Sequence, residues 1–327
     1  MGKINIETEN VLSIMPWNIC NAKCKHCGVN SSPKAKVSLL PSEVHGLINS
    51  AASLYEKDWT LSLTGGEIFY YYDKLLDLVN QAKCLNGYTS LVTNCFWGGN
   101  KKVVFKKLTE LKQIGLRYLG ISSDYYHEEY ISIENVKNVV SVACELGINC
   151  EIRSVASKQS RLYTQVEKLK DINPWFVRFI ELPLVPEGRA LQIEKDNFLY
   201  SKEIPKGKCP APTLTINFNG DAMVCCNGGG MFKYLQVGCI RDYCYETILY
   251  RYKSYPIINY LINNGPYGCL KLLDTKNRKR FLSDRYVNEC DLCMKLFSDK
   301  YISDVIYKRI NDLFYKGLDN ISIDEFC

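Results

Sequence analysis

Three cysteines near the amino terminus, Cys20, Cys24 and Cys27, share one short stretch with the spacing Cys-x3-Cys-x2-Cys. Thiolates are the soft ligands that iron–sulfur clusters require, and most such clusters take four of them. Three thiolates can hold three irons of a cubic four-iron, four-sulfur ([4Fe-4S]) cluster and leave the fourth iron open to another molecule. Zinc sites usually pair Cys-x2-Cys elements or add histidine, so a zinc knuckle fits this spacing poorly. The spacing therefore predicts a [4Fe-4S] cluster with one open iron.

A second group of cysteines lies in the C-terminal part of the chain. Cys290 and Cys293 form a Cys-x2-Cys pair, and two thiolates at this spacing can chelate one cluster or ion from a single turn. Cys209 and the adjacent Cys225 and Cys226 supply the further ligands that a complete site needs. This pattern predicts a second metal centre, for which zinc is the alternative.

The elements that must position these residues alternate along the first two-thirds of the chain. Short β-rich runs are followed by longer helical patterns, which is typical of parallel strands joined by crossover helices. The predicted strands cover residues 11–18, 59–64, 89–93, 117–123, 149–156 and 176–182. The predicted helices cover residues 42–56 (with Ser42 as N-cap), 72–84, 101–114, 133–146 and 162–170. Six such units predict an α/β fold of the partial (β/α)6 TIM-type barrel class.

Polar residues follow the predicted strands. The cysteine loop comes after the first strand, Thr64-Gly65-Gly66-Glu67 ends the second, and Asn94 and Ser122 lie at the ends of the third and fourth. Parallel β/α folds place their chemistry at the C-terminal ends of their strands. We therefore expect these residues to form one site at the mouth of the barrel, although each is also an ordinary turn former.

After about Pro205 the alternation stops and the density of cysteines rises. Turns rich in Asn and Gly, at residues 227–230 and 263–268, break up this segment, and residues 297–318 have the pattern of a closing amphipathic helix. We expect three parts in the chain: a barrel at residues 1–205, a small cysteine-rich domain at 206–300 and a C-terminal helix at 301–327.

Composition narrows the class of protein. Sixteen cysteines occur in 327 residues, a length that does not need disulfides to fold. The first ten residues lack the apolar segment of a secretory signal, and no apolar run approaches the roughly 18 residues of a membrane-spanning helix. We therefore expect reduced, metal-binding cysteines in a cytoplasmic protein that is not bound to a membrane. The net charge of +6 is too modest to indicate nucleic-acid binding.

Together, the Cys20–Cys27 loop, with His26 before its last cysteine, and Thr64-Gly65-Gly66-Glu67 resemble the signature of radical S-adenosylmethionine (SAM) enzymes. The resemblance implies that the open iron binds the amino and carboxylate groups of SAM. It also implies that Thr64, Gly65, Gly66 and Glu67 contact the amino group, the acidic side chain accepting from the ammonium. Asn94 and Ser122 are candidates for the ribose or carboxylate. Arg153 is predicted either to reach the carboxylate or to pair with Glu151 or Glu181.

The C-terminal cysteines resemble the twitch or SPASM-type extension of peptide-modifying radical SAM enzymes. The resemblance implies an auxiliary [4Fe-4S] cluster, with Cys209, Cys225, Cys290 and Cys293 as candidate ligands. If residues 221–226 are extended, the side chains of Cys225 and Cys226 point to opposite faces. One thiol can then bind the cluster while the other faces the barrel mouth, where a protonated thiol is a good hydrogen-atom donor to a carbon radical. That both cysteines pack, or that both bind metal, is the alternative.

The full set of motifs, including Asn94-Cys95-Phe96-Trp97-Gly98 and residues 122–127, resembles the radical SAM peptide epimerases of the YydG (epipeptide) type. These enzymes convert L-residues of a ribosomal precursor peptide to D-residues. By position, Cys226 is the expected hydrogen donor and Cys225 a ligand of the auxiliary cluster. A reductant such as flavodoxin or ferredoxin is the other expected partner. The chain departs from the family in having Cys95 where a glycine is expected.

Two other functions are consistent with parts of this pattern. A SPASM-type enzyme that forms thioether or carbon–carbon cross-links needs the same cofactors but no thiol donor. A zinc-ribbon protein that binds nucleic acid would explain the C-terminal cysteines, but it would not explain the barrel-like alternation. Little sequence precedes Cys20, so we expect no fused winged-helix domain for leader-peptide binding and expect recognition by the barrel mouth or the C-terminal segment.

Overall fold

The computed structural model describes residues 10–172, 177–210, 212–226 and 228–319. Six parallel strands, numbered along the chain, form its N-terminal part: β1 (Val11–Ile14), β2 (Trp59–Leu63), β3 (Gly87–Thr93), β4 (Leu116–Ser122), β5 (Asn149–Ala156) and β6 (Val177–Pro183). Five helices connect them: α1 (Pro41–Tyr55), α2 (Tyr72–Cys84), α3 (Lys101–Gln113), α4 (Ile133–Glu145) and α5 (Leu162–Lys168). This is the predicted incomplete barrel.

The C-terminal part extends the same sheet. Strands β7 (Thr215–Ile216), β8 (Asp221–Met223) and β9 (Gln236–Cys239) give the order β6-β5-β4-β3-β2-β1-β7-β8-β9, with β7 parallel to β1 and the last two antiparallel. Five helices follow: α6 (Tyr245–Ser254), α7 (Pro256–Lys271), α8 (Thr275–Leu282), α9 (Glu289–Ser298) and α10 (Lys300–Asp319). The predicted division of the chain at residue 205 therefore does not interrupt the sheet, and it stays a prediction.

Buried apolar side chains of both parts form one large core. Strands β2 and β3 alternate buried and partly buried residues, as expected for a barrel wall. Their buried members pack with residues of α1 to α4 and with α6, α7 and α9. Because one core supports the strand ends of the barrel and the cysteine-bearing C-terminal helices, the two sets of cysteines are held in one body.

Local signals explain where several helices begin. Side chains of four N-cap residues accept backbone N–H groups of the first turn: Asn100 of α3, Ser132 of α4, Asp274 of α8 and Asn288 of α9. For α1 the predicted N-cap, Ser42, is wrong. Leu40 occupies that position, Pro41 follows as the first helical residue, and the Glu43 carboxylate accepts the Leu40 N–H at 2.7 Å.

Three other predicted boundaries are wrong. Strand β1 ends at Ile14 rather than residue 18. The predicted helix 297–318 is two helices, because Asp299 is extended and its carboxylate accepts the Ile302 N–H at 3.1 Å, which starts α10 at Lys300. The predicted turn at 263–268 is a kink inside α7, where Gly265 has a φ of 63°. Residues 176 and 320–327, which belong to the predicted last strand and C-terminal helix, lie outside the described residues.

In the part of the chain that the structure describes, the helices are either too short or too polar to cross a membrane.

Candidate active site

A small pocket of about 130 Å³ lies at the carboxyl ends of β1 to β4. It brings together nine of the residues that the sequence predicts for the first cluster and for cofactor binding: Cys20, Cys24, Cys27, Thr64, Gly65, Gly66, Glu67, Asn94 and Ser122. Val92, Thr93, His26, His127 and Arg189 also line it, together with Ala22 and Ser31. The strand ends thus converge as the parallel sheet predicts.

The three cysteines of the first set lie on the loop after β1. The Cys20 N–H donates to the Ser32 carbonyl at 3.2 Å, and the Cys27 N–H donates to the Cys24 carbonyl at 3.2 Å. Burial raises the pKa of the Cys20 thiol to about 12 and the pKa of Cys24 well above its usual value. Both thiols are therefore protonated at neutral pH unless a metal displaces the proton.

The two glycines after β2 touch the backbone of this cysteine loop. A Cβ atom on Gly66 would lie 1.9 Å from the Ile19 carbonyl oxygen, and one on Gly65, whose φ is +131°, would lie 2.7 Å from that of Trp17. The Gly66 N–H donates to Trp17 at 3.0 Å. Only glycine allows this approach, so the Gly-Gly pair fixes the position of the cysteine loop relative to β2.

The Glu67 carboxylate is fully buried and bonded within the protein. One oxygen accepts from the Phe69 N–H at 3.1 Å and the Thr93 hydroxyl at 2.7 Å, and the other accepts from the Asn94 N–H at 2.7 Å. Burial raises its pKa to about 7, although these hydrogen bonds oppose the rise. Glu67 therefore joins the end of β2 to the end of β3, and its predicted contact with the SAM ammonium stays a prediction.

Asn94 points toward the cysteine loop. Its side-chain amide donates to Asn21 Oδ1 at 2.9 Å and lies 3.6 Å from the Cys20 sulfur, while its oxygen accepts the Phe96 N–H at 3.0 Å. The next residue, Cys95, is fully buried and has a φ of +64°, in the left-handed region that favours glycine. The geometry explains why a glycine suits this position, as the family pattern implies.

Ser122 and Arg153 lie on neighbouring strands, opposite each other in the register of β4 and β5. Ser122 lines the pocket. The Arg153 guanidinium instead bonds the Glu151 carboxylate at 2.7 Å. Of the alternatives predicted for Arg153, the structure shows the ion pair with Glu151.

Arg189, which the sequence analysis missed, clamps the cysteine loop. Its guanidinium donates to the Cys24 carbonyl at 2.9 Å and to the Ser31 carbonyl at 2.6 Å. The backbone N–H of Arg189 donates to the Cys27 carbonyl at 3.1 Å. The preceding Gly188 has a φ of +51°, and a Cβ there would lie 2.5 Å from the Cys27 carbonyl oxygen. The Arg189 charge lowers the pKa of Cys24 against the effect of burial.

Two of the three histidines flank a buried aspartate beside the pocket. The fully buried Asp124 carboxylate accepts the N–H groups of Tyr126, His127 and Val155 at 2.9, 3.0 and 3.2 Å. His127 Nδ1 lies 3.0 Å and His26 Nε2 lies 3.7 Å from its oxygens. Burial alone would raise the pKa of Asp124, but the charges of His127 and His26 and the hydrogen bonds from His127 together lower that pKa. Burial lowers the pKa of His26 to about 4.

This His26–Asp124–His127 group offers three donor atoms within 4.8 Å of one another, a spacing that could hold a metal ion. The aspartate oxygens, however, already accept three backbone N–H groups. The group therefore orients His26 next to Cys27.

The second set of cysteines gathers around Cys293 on α9. Burial raises the pKa of Cys293 well above its usual value, and the neighbouring thiols Cys225, Cys269, Cys209 and Cys290 act in the same direction. All four predicted ligands therefore lie close to one another. Cys269, a fully buried residue of α7, is a fifth member that the sequence pattern did not indicate.

Cys225 and Cys226 differ in exposure, but they do not lie on the strand from which opposite faces were predicted. The extended strand expected over residues 221–226 ends at Met223, and the two cysteines lie in the bend that follows. Cys225 is half-buried against the core, whereas Cys226 is exposed. The bend, rather than strand alternation, separates the two thiols.

Cys226 is an exposed residue, but its thiol is surrounded by protein. Burial by these surroundings raises its pKa, which the Arg153 charge lowers and the Glu187 and Cys209 charges raise further. The Glu187 carboxylate in turn contacts Gly28, the residue after Cys27, because a Cβ on Gly28 would lie 2.7 Å from its oxygen. Cys226 is thus placed between the second set of cysteines and the barrel residues near the first.

Comparison with known proteins agrees with this site. Residues 14–158, which carry the cysteine loop and the ends of β1 to β4, match the model of the Radical SAM superfamily. These residues therefore match a radical SAM domain. The chain is also 24% identical to the putative peptide biosynthesis protein YydG of Bacillus subtilis (strain 168), over 90% of this chain and 95% of that protein. The resemblance to YydG-type radical SAM proteins is confirmed.

Solved structures of radical SAM proteins share the fold of this chain. Native anSMEcpe with bound AdoMet superposes with a TM-score of 0.55 at 14% identity, covering 95% of this chain and 100% of that chain. The same protein with AdoMet and the Kp18Cys peptide gives 0.56 at 15%, covering 95% and 99%. BtrN in complex with AdoMet and 2-DOIA gives 0.50 at 13%, covering 78% and 88%. The predicted partial TIM-type α/β fold is confirmed.

The radical SAM family implies SAM and one [4Fe-4S] cluster. The residues of the pocket suit them, because three thiols on one short loop are soft donors and the Thr64-Gly65-Gly66 backbone lines the pocket beside them. The radical SAM match also argues against the alternative that the protein is a zinc-ribbon protein that binds nucleic acid.

Proposed function

We propose that this radical SAM protein is an epimerase that converts L- to D-residues in a ribosomally made precursor peptide. The observation that carries the proposal is the placement of Cys226 between the two sets of cysteines. Epimerisation needs a hydrogen donor that is separate from the group that removes hydrogen, and Cys226 is suited to that role.

When bound, the cluster and SAM supply a 5′-deoxyadenosyl radical that removes a Cα hydrogen atom from the peptide. Cys226 then gives its thiol hydrogen to Cα from the opposite face, so that the S–H bond breaks and a C–H bond forms. Because its surroundings raise the pKa of Cys226, the thiol keeps this proton at neutral pH, whereas a nucleophilic cysteine needs the thiolate. A reductant such as flavodoxin or ferredoxin supplies one electron for the cleavage of SAM, and a second electron with one proton restores the thiol.

The remaining cysteines of the second set support an auxiliary [4Fe-4S] cluster with Cys209, Cys225, Cys290 and Cys293 as ligands. Sulfurs that share one tetrahedral zinc ion lie about 3.8 Å apart. Among the described residues, no three cysteine sulfurs lie within 4.8 Å of one another; the group that does is His26, Asp124 and His127. This wider spacing favours a cluster over a zinc ion. Iron and labile-sulfide analysis would distinguish the two, because two clusters per chain contain sulfide and a zinc site contains none.

A peptide substrate is supported by two relatives. The matching Bacillus subtilis protein is described as a peptide biosynthesis protein, and one of the similar structures holds a peptide beside AdoMet.

The decisive experiment is mass spectrometry of small peptides encoded beside the gene. Each is incubated without oxygen with reconstituted enzyme, SAM and reductant in deuterated water. We expect one deuterium at Cα of particular residues with the wild type and with Cys84→Ser, a control at an exposed cysteine ending α2. Cys226→Ala should still form 5′-deoxyadenosine but give no deuterium. Loss of two hydrogens from the peptide would show a cross-link and contradict the proposal.

A further inference from the structure

A groove of about 910 Å³ lies between the cysteine loop of the first set and α9, the helix that carries Cys290 and Cys293. Gly28 and Asn30 line one end, and a single face of α9 lines the other. That face has the i, i+3, i+4, i+7 spacing of one helical stripe and consists of Asp291, Met294, Lys295 and Ser298. The groove therefore passes beside both predicted centres.

The walls of the groove are largely apolar, with Pro186, Leu191, Tyr200, Met231, Phe232 and Met294 among them. Leu191 and Met231 remain 69% and 38% exposed, which is more than apolar side chains in a closed wall would be. The charged lining has four acidic and three basic side chains: Glu187, Asp196, Asp284, Asp291, Lys195, Arg285 and Lys295. The groove is thus apolar with one excess negative charge.

Asp291 carries an unsatisfied acceptor in this groove. Its side chain is 1% exposed, and one carboxylate oxygen accepts the Val287 N–H at 3.0 Å. Among the described residues, no donor lies within hydrogen-bonding distance of the other oxygen. Lys295 is 3.8 Å from the first oxygen but bonds the Asp284 carboxylate at 2.9 Å and the Arg285 carbonyl at 2.8 Å. A buried carboxylate oxygen without a donor is costly, so this one is suited to receive a ligand.

We propose that the groove binds a segment of the precursor peptide in which a Lys or Arg side chain donates to Asp291 and apolar neighbours cover Leu191 and Met231. The inference rests on the proposed function for the identity of the ligand as a peptide. A basic side chain supplies both the missing donor and the missing positive charge. A metal ion would find one available carboxylate oxygen here, which is too few ligands for a site. The segment would thereby hold the peptide alongside Cys226.

The test measures binding without turnover. Two fluorescein-labelled peptides, identical except for Lys or norleucine between flanking Leu and Val residues, are titrated by fluorescence anisotropy with the reconstituted enzyme and SAM. A hydrogen bond to a charged group predicts about tenfold tighter binding of the Lys peptide. Asp291→Asn keeps an oxygen for the Val287 N–H and should reduce the difference to less than about threefold. Asp242→Asn, at an exposed acidic residue that does not line the groove, should leave it unchanged.

A third variant separates the apolar part of the proposal. Leu191→Ser, at an exposed position, should weaken both peptides by a similar factor and keep the preference for Lys. Equal binding of the two peptides, no saturable binding of either, or an unchanged preference in Asp291→Asn would overturn the inference. Because no epimerisation is measured, a peptide that binds with the expected preference but is cross-linked would contradict the proposed function and leave the groove assignment standing.

Discussion

Cys95 combines two properties that rarely occur together, full burial and a left-handed backbone. Its φ is +64° and its side chain has no accessible surface. A residue with a Cβ pays about 1–2 kcal/mol for this conformation, whereas glycine does not. Replacing Cys95 by Ala removes the sulfur and keeps the strain, and replacing it by Gly removes both. The pair of variants therefore isolates the strain.

The expected magnitude follows from three contributions. Relative to Ala, Gly relieves about 1.5 kcal/mol of strain. It loses about 0.8 kcal/mol through greater freedom of the unfolded chain and about 0.8 kcal/mol of buried Cβ surface. These nearly cancel, so Cys95→Gly and Cys95→Ala should have the same stability. Cys150, also buried but within β5 and outside the positive-φ residues, is the matched control. There Gly should be less stable than Ala by about 1.5 kcal/mol.

The assay is urea unfolding of the four variants followed by pulse proteolysis, under anaerobic conditions, with free energies of unfolding from the linear extrapolation. The quantity to compare is the Gly-minus-Ala difference at residue 95 against that at residue 150. If this Gly-minus-Ala difference in the free energy of unfolding is about 1.5 kcal/mol more favourable to Gly at residue 95 than at residue 150, the backbone at residue 95 is strained. If Gly is as unfavourable relative to Ala at residue 95 as at residue 150, the left-handed backbone costs nothing and our explanation of the glycine preference is refuted.

Two further predictions concern the pocket. Arg189→Met removes two hydrogen bonds from a charged donor, worth about 1.5–3 kcal/mol each. It should lower both the iron content after reconstitution and the cluster's midpoint potential, since a nearby positive charge favours the reduced state. Arg161→Met, at an exposed ion pair, is the control, and an unchanged potential would contradict the assignment. Because burial raises the pKa of Glu67 from 4.5 to about 7, the folded state binds this proton more tightly. Its stabilising contribution is present below pH 4.5 and is lost, by about 3 kcal/mol, as pH rises to 7. Urea unfolding of the cluster-free protein across this pH range should show a steeper loss of the free energy of unfolding for wild type than for Glu67→Gln. Parallel plots of this free energy against pH would refute the raised pKa of Glu67.

The parallel barrel could be predicted because its signals are local and repeated. The strand at 149–156 is predicted with its observed bounds, and the second strand differs by one residue. Once six strands run parallel, their carboxyl ends must meet, so residues as distant as Cys20, Glu67 and Ser122 are predicted to share one site. Topology, rather than contact information, brings this part of the site together.

The missed features depend on contacts between distant segments. Arg189 donates a hydrogen bond to Cys24, which lies 165 positions earlier in the chain. Nothing in the sequence around Arg189 indicates that partner. Cys269 has no neighbouring cysteine, so its place beside Cys293 follows only from the packing of α7 on α9. The break before α10 is different, because Asp299 is a good N-cap residue and this signal was available. Apolar periodicity through residues 297–318 concealed it.

The connection between β6 and β7 contacts elements that carry both sets of cysteines. At its start, Gly188 and Arg189 contact the Cys27 carbonyl. Farther along, the Gly207 N–H donates to the Glu289 carboxylate at 3.0 Å, next to Cys290.

This one segment therefore sets the separation between the loop that carries the first three thiols and the helix that carries two of the second set. Glu187, at its start, contacts Gly28, and its charge acts on Cys226. If hydrogen is removed on one face of Cα and returned on the other, the ratio of D- to L-product depends on that separation. Radical formation depends on the first loop, which Gly188 and Arg189 contact, and on the expected SAM-binding residues around it. On the proposed function, a change farther along the connection, at Gly207, should therefore alter stereochemical yield before it alters cleavage of SAM, which would make that part of the segment a structural determinant of the product.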